Sequence, residues 1–131
     1  MLESKVGNSH VSSPAIKHFL RSEEFTDLEL KAIIKKYFSH VKTEHSPKWL
    51  GQQRYDIYIP SKKVAIEYQG QQHYEPISFF GGEKGFQKTL LRDKKKLEIS
   101  QNNGIDVLYW NYNTKINEST VQKFLQRHNL I

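Results

Sequence analysis

The chain of 131 residues has room for one domain with a real core, and its 37% hydrophobic content argues against disorder over most of its length. Lacking cysteine, it forms neither disulfides nor thiolate zinc sites; no stretch reaches the ~20 apolar residues of a membrane span and no signal-peptide pattern opens it, so a soluble, cytoplasmic protein is expected. Twenty Lys and Arg against fourteen Asp and Glu give a net charge of +6, which makes a polyanion such as nucleic acid the first partner to weigh against a merely solubilising surface.

Residues 1–12 are polar and aperiodic and are expected to form a flexible tail, leaving 13–131 as a single domain. Ser13 and Pro14 suit the cap and first position of a short helix over PAIKHFL. Thr26 and Glu29 read as a capping box, and Leu30, Ile33, Ile34, Tyr37 and Phe38 then recur at helical spacing, which predicts a helix over about 26–39. HVKTEH at 40–45 is a candidate edge strand, HSPKWLGQQ a loop, and RYDIYI and VAIEYQ two strands around Pro60, Ser61, Lys62 and Lys63. The Pro and glycines of residues 75–85 predict a long excursion. A helix over about 86–102 follows, stopped at Gly104, then the strand IDVLYWNY and a last helix over about 117–128. A crossover helix between two strands lets them lie parallel, so the expected architecture is an α/β sandwich: a small mixed sheet with helices on both faces.

With Ser61 and Lys62 at the centre of a hairpin loop, Asp56 faces Glu67, Ile57 faces Ile66 and Ile59 faces Val64. Tyr55, Ile57, Ile59, Val64, Ile66 and Tyr68 then share an apolar face, while Arg54, Asp56, Tyr58, Ala65, Glu67 and Gln69 share the other. Two opposed carboxylates ~5 Å apart repel unless something positive intervenes. One candidate is a divalent cation, and all-oxygen ligands point to Mg²⁺ or Mn²⁺; the other is a neighbouring side chain such as Arg54.

In the helix from 86, Phe86, Leu90 and Leu97 form a stripe that includes Asp93, whose carboxylate would either join a polar network near the pair or meet a lysine. Lys88, Arg92, Lys95 and Lys96 spread over the opposite side, where they would track phosphates or simply be solvated. Trp49, Gln52, Gln53 and Arg54 in KWLGQQR and the aromatics of SFFGGEKG are further stretches that would meet nucleic acid; paired Phe residues are more often core.

Asp56, ten intervening residues and then Glu67-Tyr68-Gln69 on consecutive strands resemble the PD-(D/E)XK nuclease superfamily. The longer string QQRYDIYIPSKKVAIEYQGQQHY, with the later RDKKK and NGIDVLYW, is most similar to its very-short-patch repair endonuclease-like branch, over about residues 26–112. The resemblance implies the restriction-endonuclease-like fold and Mg²⁺-dependent hydrolysis of DNA phosphodiester bonds, with Mn²⁺ able to substitute. It implies that Asp56, Glu67 and the backbone carbonyl of Tyr68 hold the metal and that Gln69 positions water. It also implies an assisting glutamate at Glu29, which the capping box explains equally well, and a role for His73 as proton donor or phosphate contact. Gln53, Arg54, Lys88, Arg92, Lys95 and Lys96 are the candidate nucleic-acid contacts, duplex DNA the expected partner, and a homodimer or fusion to another domain a further expectation. The family pattern usually has lysine where this chain has Gln69, and glutamine orients water without supplying positive charge. A catalytically silent, DNA-binding module of the same fold is therefore the alternative, and a basic protein-interaction domain a third reading.

Overall fold

A β-hairpin forms the centre of the sheet, and its register is the one the alternation of apolar residues demands. The structure, a computed structural model, describes residues 27–77 and 81–131; the expected tail, the helix at Pro14, the capping residue Thr26 and Phe79–Phe80 lie outside them. Strands β1 (Lys42–His45), β2 (Tyr55–Ile59), β3 (Val64–Gln69) and β4 (Asp106–Asn111) lie in the order β1-β2-β3-β4. β2 pairs with β3 antiparallel through Ile57↔Ile66, Tyr58↔Ala65 and Ile59↔Val64. Their connection is a 3₁₀ turn over Pro60–Lys62, closed by Lys63 at φ 53°, so Ser61 and Lys62 are indeed its middle residues. β1 adds to the edge antiparallel, and β4 returns parallel to β3 from Val64↔Asp106 to Gln69↔Asn111.

Among the described residues, three α-helices flank this mixed sheet. The described part of α1 covers 27–34; it ends earlier than the periodicity predicts, unwinding through hydrogen bonds from Lys36 N to Ile33 O and Tyr37 N to Ile34 O, while Tyr37 and Phe38 still pack on the core. α2 (Gly82–Asn102) begins four residues before the expected start and ends at Gly104, whose φ of 77° suits a residue without a side chain. α3 (Glu118–Arg127) opens on a reciprocal cap between Asn117 and Thr120.

Each face of the sheet has its own apolar cluster. Ile57, Ile59, Val64, Ile66 and Trp110 pack against Leu30 and Ile34 of α1 and Val121, Phe124 and Leu125 of α3. The opposite cluster is smaller: Leu50, Tyr55, Ala65 and Ile105, joined by Tyr58, Val107 and Ile99 of α2. Tyr55 is thus a departure from the expected apolar face. A buried phenol needs a hydrogen-bond partner, and Ser100 of α2 provides it.

A second departure concerns α2. The stripe of Phe86, Leu90 and Leu97 is not its buried face, since Leu90 is 40% and Leu91 56% exposed. The buried residues are Thr89 and Ser100, and Asp93 and Lys96 lie between them at helical spacing, partly buried. This polar row faces the sheet because the sheet beneath carries the acidic pair. Among the described residues no helix is long and apolar enough to cross a membrane.

Candidate active site

The acidic pair sits at the open end of the hairpin, away from the turn. The backbone ladder runs to Ile57↔Ile66, and one step further the carboxylates take over as acceptors. Asp56 N donates to Glu67 Oε2 at 2.8 Å, and Tyr68 N donates to Asp56 Oδ2 at 2.8 Å. The two acids are therefore cross-tied, each held by a backbone N–H of the opposite strand.

Burial raises the pKa of both. Asp56 is pushed up to about 7, by desolvation first and then by the charge of Glu67. Glu67 is also raised, mainly by burial, against the pull of Lys96. Two desolvated acids that resist ionisation together form a site short of positive charge.

Part of that charge comes from a residue expected on the solvent side. Lys96 reaches inward from α2, pairs with Glu67 Oε1, donates to the Arg54 carbonyl and lies 5.5 Å from the centre of the Tyr55 ring. Its neighbours Lys88, Arg92 and Lys95 are exposed on α2, as is Arg54, while Gln53 is half-buried. Arg54 is not the cation that meets Asp56 or Glu67; Lys96 is the one that reaches Glu67.

On α1 the structure separates two acids that are close in sequence. Glu29 is exposed, whereas Asp27, two residues earlier and about 200° around the helix, is the α1 acid whose charge acts on Asp56. One Asp27 oxygen pairs with Lys31 at 2.8 Å, and the other, Oδ1, is buried without a hydrogen-bond partner. The signal in the sequence was its place on the stripe of Leu30 and Ile34.

Beyond the pair lies a second polar group. His73 Nδ1 donates to Asp93 Oδ2 at 2.9 Å, which fixes the proton on Nδ1 and leaves Nε2 as the nitrogen free to act. Gln69 Nε2 makes a long contact of 3.5 Å to the same oxygen, and the Tyr74 hydroxyl reaches Gln69 Oε1 at 3.0 Å and the Asn111 side chain. Asp93 thus joins the polar network. Tyr109, in register with Glu67, has its phenol pKa raised by burial and then by the charges of Asp93 and Glu67. Neither Tyr74 nor Tyr109 was singled out in the sequence, although strand pairing would have found Tyr109.

Among the described residues no group of three or more His, Asp and Glu side chains gathers as a metal cluster. The donor set nevertheless suits Mg²⁺, which keeps several waters and needs only one or two carboxylates. The two raised acids supply oxygen-only ligands of the kind such an ion takes, and the charge of Asp27 adds to theirs at Asp56.

No family model matches the chain, and no solved structure matches it. It is 42% identical over 72 residues to the uncharacterized protein 094L of Frog virus 3 (isolate Goorha), a match covering 53% of this chain and 46% of that protein. The chain thus spans about half the length of this curated relative.

Proposed function

We propose that the chain is a metal-dependent endonuclease domain that hydrolyses DNA phosphodiester bonds on a restriction-endonuclease-like fold, nearest to the very-short-patch repair branch. The observation that carries the reading is the buried pair Asp56 and Glu67, cross-tied at the open end of the hairpin with the Lys96 ammonium against Glu67. Asp56, Glu67 and the Tyr68 carbonyl would hold Mg²⁺, with Mn²⁺ substituting. A bound ion of this kind lowers the pKa of a water and neutralises charge on the phosphate. Lys96 supplies, from the helix, positive charge that Gln69 cannot. Gln69, held between Asp93 and Tyr74, orients the attacking water, and His73, held through Nδ1 by Asp93, gives the leaving oxygen a proton from Nε2 when its ring is doubly protonated.

One feature favours a second reading, a silent DNA-binding module: Gln69 stands where the family pattern has lysine. Incubation with supercoiled plasmid in Mg²⁺, Mn²⁺ or EDTA separates the two. The nuclease reading expects metal-dependent nicking, lowered at least about 100-fold in Asp56→Ala and in Glu67→Ala. Binding without nicking in any metal gives the silent module, and cleavage unchanged in both variants places the chemistry elsewhere.

A further inference from the structure

On the other side of β4 from the acidic pair, a cleft of ≈ 180 Å³ opens between the edge of that strand and α3. Trp110 and Phe124 line its apolar part, and the turn after β4 is closed by the Trp110 indole N–H donating to the Thr114 carbonyl at 3.1 Å. Its polar lining is one-sided in charge: Lys123 and Arg127 with Thr114, Thr120 and Asn111, and no carboxylate. Thr120, Lys123 and Arg127 follow one another at spacings of three and four on α3, so they share one helix face. Neither cation has an ion-pair partner among the described residues. The Arg127 guanidinium lies 5.5 Å from the centre of the Phe124 ring, which limits its freedom before any ligand arrives.

We infer that this cleft receives a backbone phosphate of the nucleic-acid strand, on the flank of the bond held at Asp56 and Glu67. The ligand chemistry is a phosphate: two cations without an ion-pair partner among the described residues, the Thr114 hydroxyl and the Asn111 amide match an anion with several acceptor oxygens. The source is a polymer because two residues of the cleft lining also border the site. Asn111 lines the cleft while its side chain meets the Tyr74 hydroxyl beside Gln69, and Tyr109 lines it from the position paired with Glu67. Only one strand spacing, ~4.8 Å, separates β4 from the strand that carries Glu67. This inference rests on the nuclease reading for its account of the neighbouring site, but not for its test.

Binding of a labelled DNA duplex is measured against salt in the Asp56→Ala background, which removes cleavage. Lys123→Gln with Arg127→Gln is expected to weaken binding about tenfold or more and to flatten the slope of log K against log salt by about 1 to 2. Both side chains are exposed, so these variants fold. Lys42→Gln with Lys62→Gln, two exposed lysines at the turn end of the hairpin, removes the same charge and is expected to cost much less. Equal losses in the two double variants overturn the proposal. Inorganic phosphate alone tests the source: binding that is lost in the α3 variant, with DNA affinity unchanged, makes the cleft a free-anion site and also overturns it. If wild type binds through this cleft yet never nicks plasmid, the nuclease reading falls and the phosphate site stands; if it nicks but the α3 variant binds DNA like the control, the reverse holds.

Discussion

A carboxyl group buried beside another holds its proton to higher pH than it would in water, and Asp56 does so up to about 7. The consequence for stability has a definite sign. In the unfolded chain Asp56 loses its proton near its ordinary value of 3.8; the folded chain keeps it over the following three units. The stability from that retained proton is complete below pH 3.8 and is lost as the pH rises to about 7. The whole effect is on the order of 4 kcal/mol at most, from about 1.4 kcal/mol per unit. In EDTA the melting temperature of the wild type should therefore fall between pH 5 and pH 8 relative to Asp56→Asn, which has no such proton to lose. Mg²⁺ should recover stability at pH 8 and little at pH 5, where the site is still protonated. An identical pH slope in Asp56→Asn would show that this carboxyl does not carry the effect.

At the scale of the element, α2 works by presenting polar groups inward where a helix of this kind usually presents apolar ones. Its inward row of Thr89, Asp93, Lys96 and Ser100 meets Glu67, His73 and Tyr55, which partner Lys96, Asp93 and Ser100 in turn. The ammonium at the acidic pair is therefore delivered by a helix, not by the strand position that Gln69 occupies. Replacing Lys96 by Met keeps the aliphatic stem against Tyr55 and removes the charge. If cleavage depends on that charge, Lys96→Met lowers the rate about 10- to 1000-fold, and Gln69→Lys in the same chain restores part of it from the strand side. Lys96→Met with full activity would reduce the lysine to a structural partner of Glu67. The same row shows where sequence reasoning stopped. Hairpin register was legible, because a period of two leaves one pairing that buries Ile57, Ile59, Val64 and Ile66 together. The parallel β4 followed from the order of elements, and the candidate edge strand in HVKTEH is β1, Lys42–His45. The face of α2 was not legible, since a search for an apolar stripe passes over a helix whose partner is a charged site. Asp27 was not legible either, since the resemblance pointed to Glu29, which the fold leaves exposed.

For the whole molecule, the two faces of the sheet are unequal in what holds them. α1 and α3 bury Leu30, Ile34, Val121 and Leu125 completely against the sheet, whereas the helix on the other face adds only partly buried apolar groups such as Ile99 and leans on polar contacts at Ser100, Asp93 and Lys96. Apolar burial contributes roughly 25 cal/mol per Å², and a typical hydrogen bond only ~1 kcal/mol net, so the α2 layer is the weaker one. Hydrogen exchange should then resolve two classes of amide. Those of α2 would exchange through a partial opening about 2 kcal/mol or more below the free energy of global unfolding, and those of β3, β4 and α3 only through the global event. Two substitutions separate the layers. Tyr55→Phe removes the hydroxyl that meets Ser100 and should lower α2 protection by about 1 kcal/mol while leaving α3 nearly unchanged. Leu125→Ala empties a fully buried position in the larger core and should lower every globally exchanging amide by 2–5 kcal/mol, a range set by how far the cavity collapses. A single exchange class spanning α2 and α3 would mean that the polar layer is as cooperative as the apolar one. If two classes are found, the weaker layer is the one that carries Lys96 and Asp93, so opening α2 withdraws the ammonium from Glu67 and the carboxylate from His73 in one motion, without disturbing the core that holds the acidic pair in register.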